Sequence, residues 1–114
     1  MKEILMYQLY GIPNCDSVKK AKKHLESQGI EFEFIDFKKS GPTLSLIKKW
    51  QDYLGEIPVN KRGTTFRKIK EEFEGSSVAE QRKLLTMHSS AIKRPILHKG
   101  DKTIAIGLPE VSAL

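Results

Sequence analysis

The chain holds one thiol, Cys15, in the stretch Gly11-Ile12-Pro13-Asn14-Cys15-Asp16-Ser17-Val18, where turn-forming residues give way to a helical pattern. A cysteine at a helix start meets the positive end of the helix dipole and backbone N–H groups without intrahelical partners, and both favour thiolate over thiol. The chemistry open to such a sulfur is nucleophilic attack. Asn14 can cap the helix and Asp16 supports its first turn, although the Asp16 charge opposes thiolate formation next door. The same N-terminus can hold an oxyanion. With no second cysteine in the chain, an internal disulfide is impossible, and any redox step at Cys15 takes its other sulfur from another molecule. A lone cysteine also fits a core as a small hydrophobe, and position alone leaves both readings open.

A reactive Cys15 needs elements that fix the turn before it. Residues 4–10, ILMYQLY, are apolar and aromatic and end at Gly11 and Pro13, which suits a buried strand running into a turn. From Cys15 to Gln28 the period changes: Val18, Ala21 and Leu25 fall on one helical face, lysines take the others, and Gly29 stands at the C-terminal cap. Residues 30–37, IEFEFIDF, alternate as a half-buried strand does, and Ser40-Gly41-Pro42 closes them. This βαβ unit is expected to have a right-handed crossover.

A second helix is predicted from about Thr43 to Leu54, with Leu44, Ile47, Trp50 and Leu54 as its apolar stripe. Two short helices follow, one carrying Phe66, Ile69 and Phe73 and the other running from Ala79 to Met87, with Gly75-Ser76-Ser77 between them. Two apolar runs joined by Lys99-Gly100-Asp101-Lys102 read as a β-hairpin, and Leu108-Pro109-Glu110 opens a brief last helix. The order predicts an α/β, thioredoxin-like fold with a helical insertion between its βαβ and ββα halves. Residues 1–114 are expected to form a single domain, since 114 residues with 39% hydrophobic content suffice for one core and not two.

The net charge of +6 favours anionic partners in general, but the lysine clusters KKAKK, Lys38-Lys39 and Lys48-Lys49 lack interleaved aromatics and read as a solvated surface. Nucleic-acid binding is not expected, because neither a stacking platform nor a recognition helix is visible. No run approaches the roughly 18 apolar residues of a membrane span, and the N-terminus carries Glu3 in place of an uninterrupted apolar signal. A cytoplasmic monomer is the expectation. His24, His88 and His98 lack metal-ligand spacing, so no metal is assigned.

The segments YGIPNCDSVKKA, NKRGTTFRKI and IKRPIL, in this order and spacing, resemble the ArsC family, which groups glutaredoxin-linked arsenate reductases with Spx-type regulators and YffB-like proteins. The RGTT-x-R-K version is most similar to the YffB-like branch, whose members are regarded as glutathione-dependent thiol reductases. The resemblance implies the thioredoxin-like fold by a second route. It makes Cys15 the nucleophile, Arg62 an arginine near the active site, Arg94 the arginine before a characteristic proline, and Pro95 a cis-proline. Arg62 and Arg94 then suit anionic substrate groups, because a guanidinium keeps its charge and presents a planar fork to carboxylate or arsenate oxygens. Arg67 is a further candidate, or a solvated helix residue. The implied function is a thiol oxidoreductase that uses glutathione, or another low-molecular-weight thiol, as co-substrate and binds no resident cofactor, with glutaredoxin as a candidate partner.

Two departures matter. Arsenate reductases similar to this chain carry a third arginine late in the sequence, before a proline and an acidic residue; here Gly107 and Leu108 stand before Pro109-Glu110, so the clamp is incomplete. That weighs against arsenate reduction and leaves it as an alternative. Spx-type regulators carry a C-x-x-C switch, whereas this chain has Cys15-Asp16-Ser17-Val18, which excludes an intramolecular switch while leaving RNA polymerase binding as a second alternative.

Overall fold

The computed structural model describes residues 6–114. In chain order the elements are β1 (Tyr7–Gly11), α1 (Asp16–Ser27), β2 (Phe32–Asp36), α2 (Leu44–Leu54), α3 (Thr64–Glu74), α4 (Val78–Met87), a 3₁₀ turn (Ser89–Ala91), β3 (Ile96–Lys99), β4 (Lys102–Ile106) and α5 (Leu108–Ser112). Ile4 and Leu5, assigned to the first strand from sequence, lie outside the described residues. Two compact units form: residues 6–36 with 94–114, and residues 37–93.

The first unit is a four-stranded sheet in the order β2-β1-β3-β4. β1 runs parallel to β2, with Tyr7 opposite Phe32 and Gly11 opposite Asp36. It runs antiparallel to β3, with Tyr10 opposite Ile96, and β3 pairs antiparallel with β4. This is the thioredoxin-like arrangement that the element order implied, with the residue 37–93 unit inserted between β2 and β3. α1 lays Val18, Ala21 and Leu25 into the core, where Ala21 and Leu25 cluster with Leu9, Leu97, Ala105 and Val111. The helix ends in a Schellman motif: Gly29 takes φ +71°, its N–H donates to Glu26 O, and the Ile30 N–H donates to Leu25 O. Ile30 then packs against the cluster that contains Leu25, the hydrophobic contact that commonly accompanies this cap.

Gly11 has a role that turn chemistry does not explain. It is the buried last residue of β1, and a Cβ there would lie 2.6 Å from Val18 Cγ2. Val18 is itself fully buried and β-branched, so it cannot swing away. Gly11→Ala is therefore expected to destabilise the protein by about 1–3 kcal/mol through overpacking, read as a lower urea midpoint at unchanged slope. An unaltered midpoint would show that α1 can retreat from the sheet freely.

In the second unit Thr43 caps α2 by accepting from the Leu46 N–H at 3.2 Å, and Gly55 ends the helix at φ +78°. Ile47 and Trp50 are buried, and Trp50 meets the Phe37 ring at 5.8 Å. Leu44, predicted in the same stripe, is instead 49% exposed. It is the first residue of the helix, and three residues advance the helix by about 300°, so two such steps leave it about 120° round from Trp50. On α3, Phe66, Ile69 and Phe73 are buried as their spacing predicted, and the two phenylalanine rings meet edge to face. Ser77 caps α4, its Oγ accepting from the Glu80 N–H, so that helix starts one residue before the predicted Ala79.

Candidate functional site

Cys15 itself occupies the cap position of α1, with extended backbone angles, and its C=O accepts the first helical hydrogen bond, from Lys19 N–H at 3.0 Å. The cap assigned to Asn14 is thereby corrected: the helix begins at Asp16, one residue later than its apolar period suggested, and Asn14 is an exposed turn residue ahead of the cap. A cap side chain faces the N–H groups two and three positions on. Here those belong to Ser17 and Val18, and the half-buried sulfur takes the place of the usual oxygen. Both N–H groups act on the sulfur as donors and favour its anionic form.

The sheet brings the second group to this point. Because Tyr10 lies opposite Ile96 across the antiparallel β1–β3 pair, the chain entering β3 runs beside the chain leaving β1. Arg94 is on that entering segment, and its guanidinium hydrogen-bonds the Cys15 sulfur. The Arg94–Pro95 peptide bond is cis, the geometry the resemblance implied. Pro95 is buried, and its C=O accepts from the Gly107 N–H at 2.8 Å.

Burial acts first on the thiol and pushes its pKa up. The Val18 N–H, the Arg94 hydrogen bond, the Arg94 charge and the Ser17 N–H together outweigh burial, so the net displacement is downward, toward thiolate. Half-buried, cationic surroundings of this kind are those in which reactive cysteines are found.

The remaining candidates fall elsewhere. Arg62 belongs to the residue 37–93 unit, exposed just before α3; its backbone N–H donates to Asn60 Oδ1 at 3.2 Å. It lines a cavity together with Asn60, Lys61 and Lys93. The walls of that cavity are joined by antiparallel pairing of Val59 with Ile92, with Asn60 N–H to Ala91 O and Lys93 N–H to Pro58 O. Residue types gave no sign of it, since it arises from segments some thirty positions apart. Arg67 is an exposed residue of α3. His98 is buried in β3, its Nε2 3.0 Å from Thr103 Oγ1 and its ring edge-on to Tyr10. Among the described residues no three His, Cys, Asp or Glu side chains gather as metal ligands would, and no helix is long and apolar enough to cross a membrane.

At the place of the third arginine, Gly107 caps α5 with φ +94°, a conformation L side chains rarely adopt, and Leu108 packs against the core cluster. Neither position offers a guanidinium to the thiol.

The sequence matches the ArsC family profile over residues 10–113. The chain belongs to the ArsC family. It is 36% identical over 107 residues to an uncharacterized protein of Haemophilus influenzae, covering 92% of this chain and 93% of that one. Among solved structures, a YffB protein superposes with a TM-score of 0.77 at 32% identity over 90% of each chain. A possible arsenate reductase from Streptococcus mutans gives 0.76 at 31% identity, covering 90% and 91%. This ArsC-family chain therefore has an arsenate-reductase-like fold, and within its first unit Arg94 meets Cys15.

Proposed function

We propose that this ArsC-family protein is a glutathione-dependent thiol oxidoreductase with Cys15 as its nucleophile. The observation that carries the reading is the single thiol held toward its anionic form by Arg94 and the first N–H groups of α1. On a mixed disulfide R–S–S–G, where G is glutathionyl, the Cys15 thiolate attacks the glutathionyl sulfur, forming Cys15–S–S–G and releasing R–S⁻, which takes up a proton. A second glutathione thiolate attacks the glutathionyl sulfur of that adduct, giving oxidised glutathione and regenerating the Cys15 thiolate. The net change is one disulfide reduced and one formed. Arg94 serves both halves, since a stabilised thiolate is abundant as the attacking group and leaves readily in the second step.

Thiol chemistry is favoured over arsenate reduction because Gly107 and Leu108 leave the oxyanion clamp without its third guanidinium. A reducing, cytoplasmic compartment suits a single unpaired thiol. Intact-protein mass spectrometry after exposure to oxidised glutathione at neutral pH tests the reading. One glutathionyl adduct should form, map to Cys15 and be removed by reduced glutathione; an unmodified Cys15 would refute the mechanism.

A further inference from the structure

We propose that the outer face of α1 docks an acidic polypeptide segment and so presents that segment's disulfide to Cys15; the proposal rests on the reading of Cys15 as a nucleophile. Val18, Ala21 and Leu25 turn one side of the helix into the core. At about 100° per residue, Lys19, Lys20 and Lys23 centre on the opposite side, and all three are exposed. Among the described residues none of their ammonium groups has an ion pair or a hydrogen bond. Lys22, on the flank, is held over the Phe34 ring at 3.7 Å. The only carboxylates of the helix, Asp16 and Glu26, stand in its first and last turns and leave the middle of the face cationic. The sequence read KKAKK as solvated charge; the helix gathers its outward lysines into one face that starts a turn from the thiol.

The spacing fits an extended chain. Lys19 and Lys23 lie one and two turns beyond Cys15, about 6 Å and 12 Å along the axis. A strand-like peptide advances about 6.6 Å per two residues, and its alternate side chains share a side. With its sulfur at Cys15, such a peptide brings side chains two and four positions from its own cysteine beside these ammonium groups. Acidic residues at those positions complete the charge pattern. A small neutral disulfide reaches the thiol and gains nothing from the lysines.

The probes are synthetic peptides whose one cysteine is a mixed disulfide with 2-thiopyridine, carrying either glutamate or glutamine two and four positions to each side. The Cys15 thiolate attacks the peptide sulfur, forming a Cys15–peptide disulfide and expelling pyridine-2-thiolate, which takes up a proton and is followed by its absorbance. Each acidic-peptide rate is divided by the neutral-peptide rate of the same protein, so a change in thiolate fraction cancels. In the full chain the ratio should be about tenfold or more near 10 mM salt and approach one near 1 M. Lys19→Glu with Lys23→Glu should bring it to one or below; both positions are exposed, so the thermal midpoint should hold. Lys99→Glu with Lys102→Glu makes the same change of net charge at the far end of β1, where Lys99 pairs with Tyr7, and should leave most of the preference. A ratio of one in the wild type at low salt, or an equal loss in both double variants, would overturn the docking surface. Protection of Cys15 by a single-stranded oligonucleotide with no preference between the peptides would also overturn it, assigning the face to a phosphate backbone. Failure of Cys15 to react with either peptide would instead sink the nucleophile reading, so the two failures are distinguishable.

Discussion

Cys15→Ser should reduce glutathione-dependent turnover to background, a loss of roughly 10³-fold or more, with little effect on stability. The chemistry is specific to sulfur. A serine hydroxyl forms no disulfide, and at neutral pH the groups that favour a thiolate cannot ionise an alcohol of far higher pKa. Oxygen for sulfur at a half-buried cap also suits the fold, because serine is a better N-cap than cysteine and can accept from the Ser17 or Val18 N–H. The variant should therefore melt at the wild-type temperature or slightly above it. Disulfide reduction assayed beside a thermal scan separates the two effects. Retained turnover in a folded Cys15→Ser protein would remove the nucleophile from the mechanism.

Arg94→Met should slow turnover roughly 10²-fold, the scale set by loss of one preorganised donor to a developing or resident anion. The substitution keeps a long side chain at this half-buried position while removing the hydrogen bond and the charge that act on Cys15. What remains is burial, which raises the thiol pKa, opposed only by the N–H groups of Val18 and Ser17. The sign follows directly. The Cys15 pKa rises, the thiolate fraction at neutral pH falls, and the alkylation rate profile moves to higher pH. Arg94→Lys keeps the charge and loses the fork, so its profile should lie between the two. A decline in turnover with no movement of the alkylation profile would assign Arg94 to substrate binding alone.

Much of this site was legible because its parts are local. The turn residues before Cys15 and the apolar spacing of Val18, Ala21 and Leu25 placed the thiol at a helix start within one residue. Periodicity could not choose between Asn14 and Cys15 as the cap, since both precede the first buried position and only hydrogen bonding settles the boundary. Gly11 looked like turn punctuation, yet its smallness serves the contact between β1 and Val18, which depends on how the helix packs back on the sheet. Leu44 failed as a core residue for a related reason: a stripe fixes the apolar face, while the helix end decides whether anything covers it.

Arg94 marks the limit of local reasoning. Its place beside the thiol follows from the register of β1 against β3, a pairing of residues more than eighty positions apart. Only the family resemblance singled it out, because nothing in its type or spacing does. Arg62 was singled out by the same route, and the cavity it lines with Glu56 and Lys93 was not foreseeable, since it is built by the Val59–Ile92 bridge.

The measurement that bears most directly on the central claim is the rate of Cys15 alkylation as a function of pH in the unmodified protein. A thiol held toward its anionic form by Arg94 and the start of α1 gives a midpoint below the roughly 8.5 of an unperturbed cysteine, so that reaction at neutral pH outpaces that of free glutathione. A midpoint at or above that value would mean that burial prevails over the cation and the helix, and would contradict a thiolate nucleophile at Cys15.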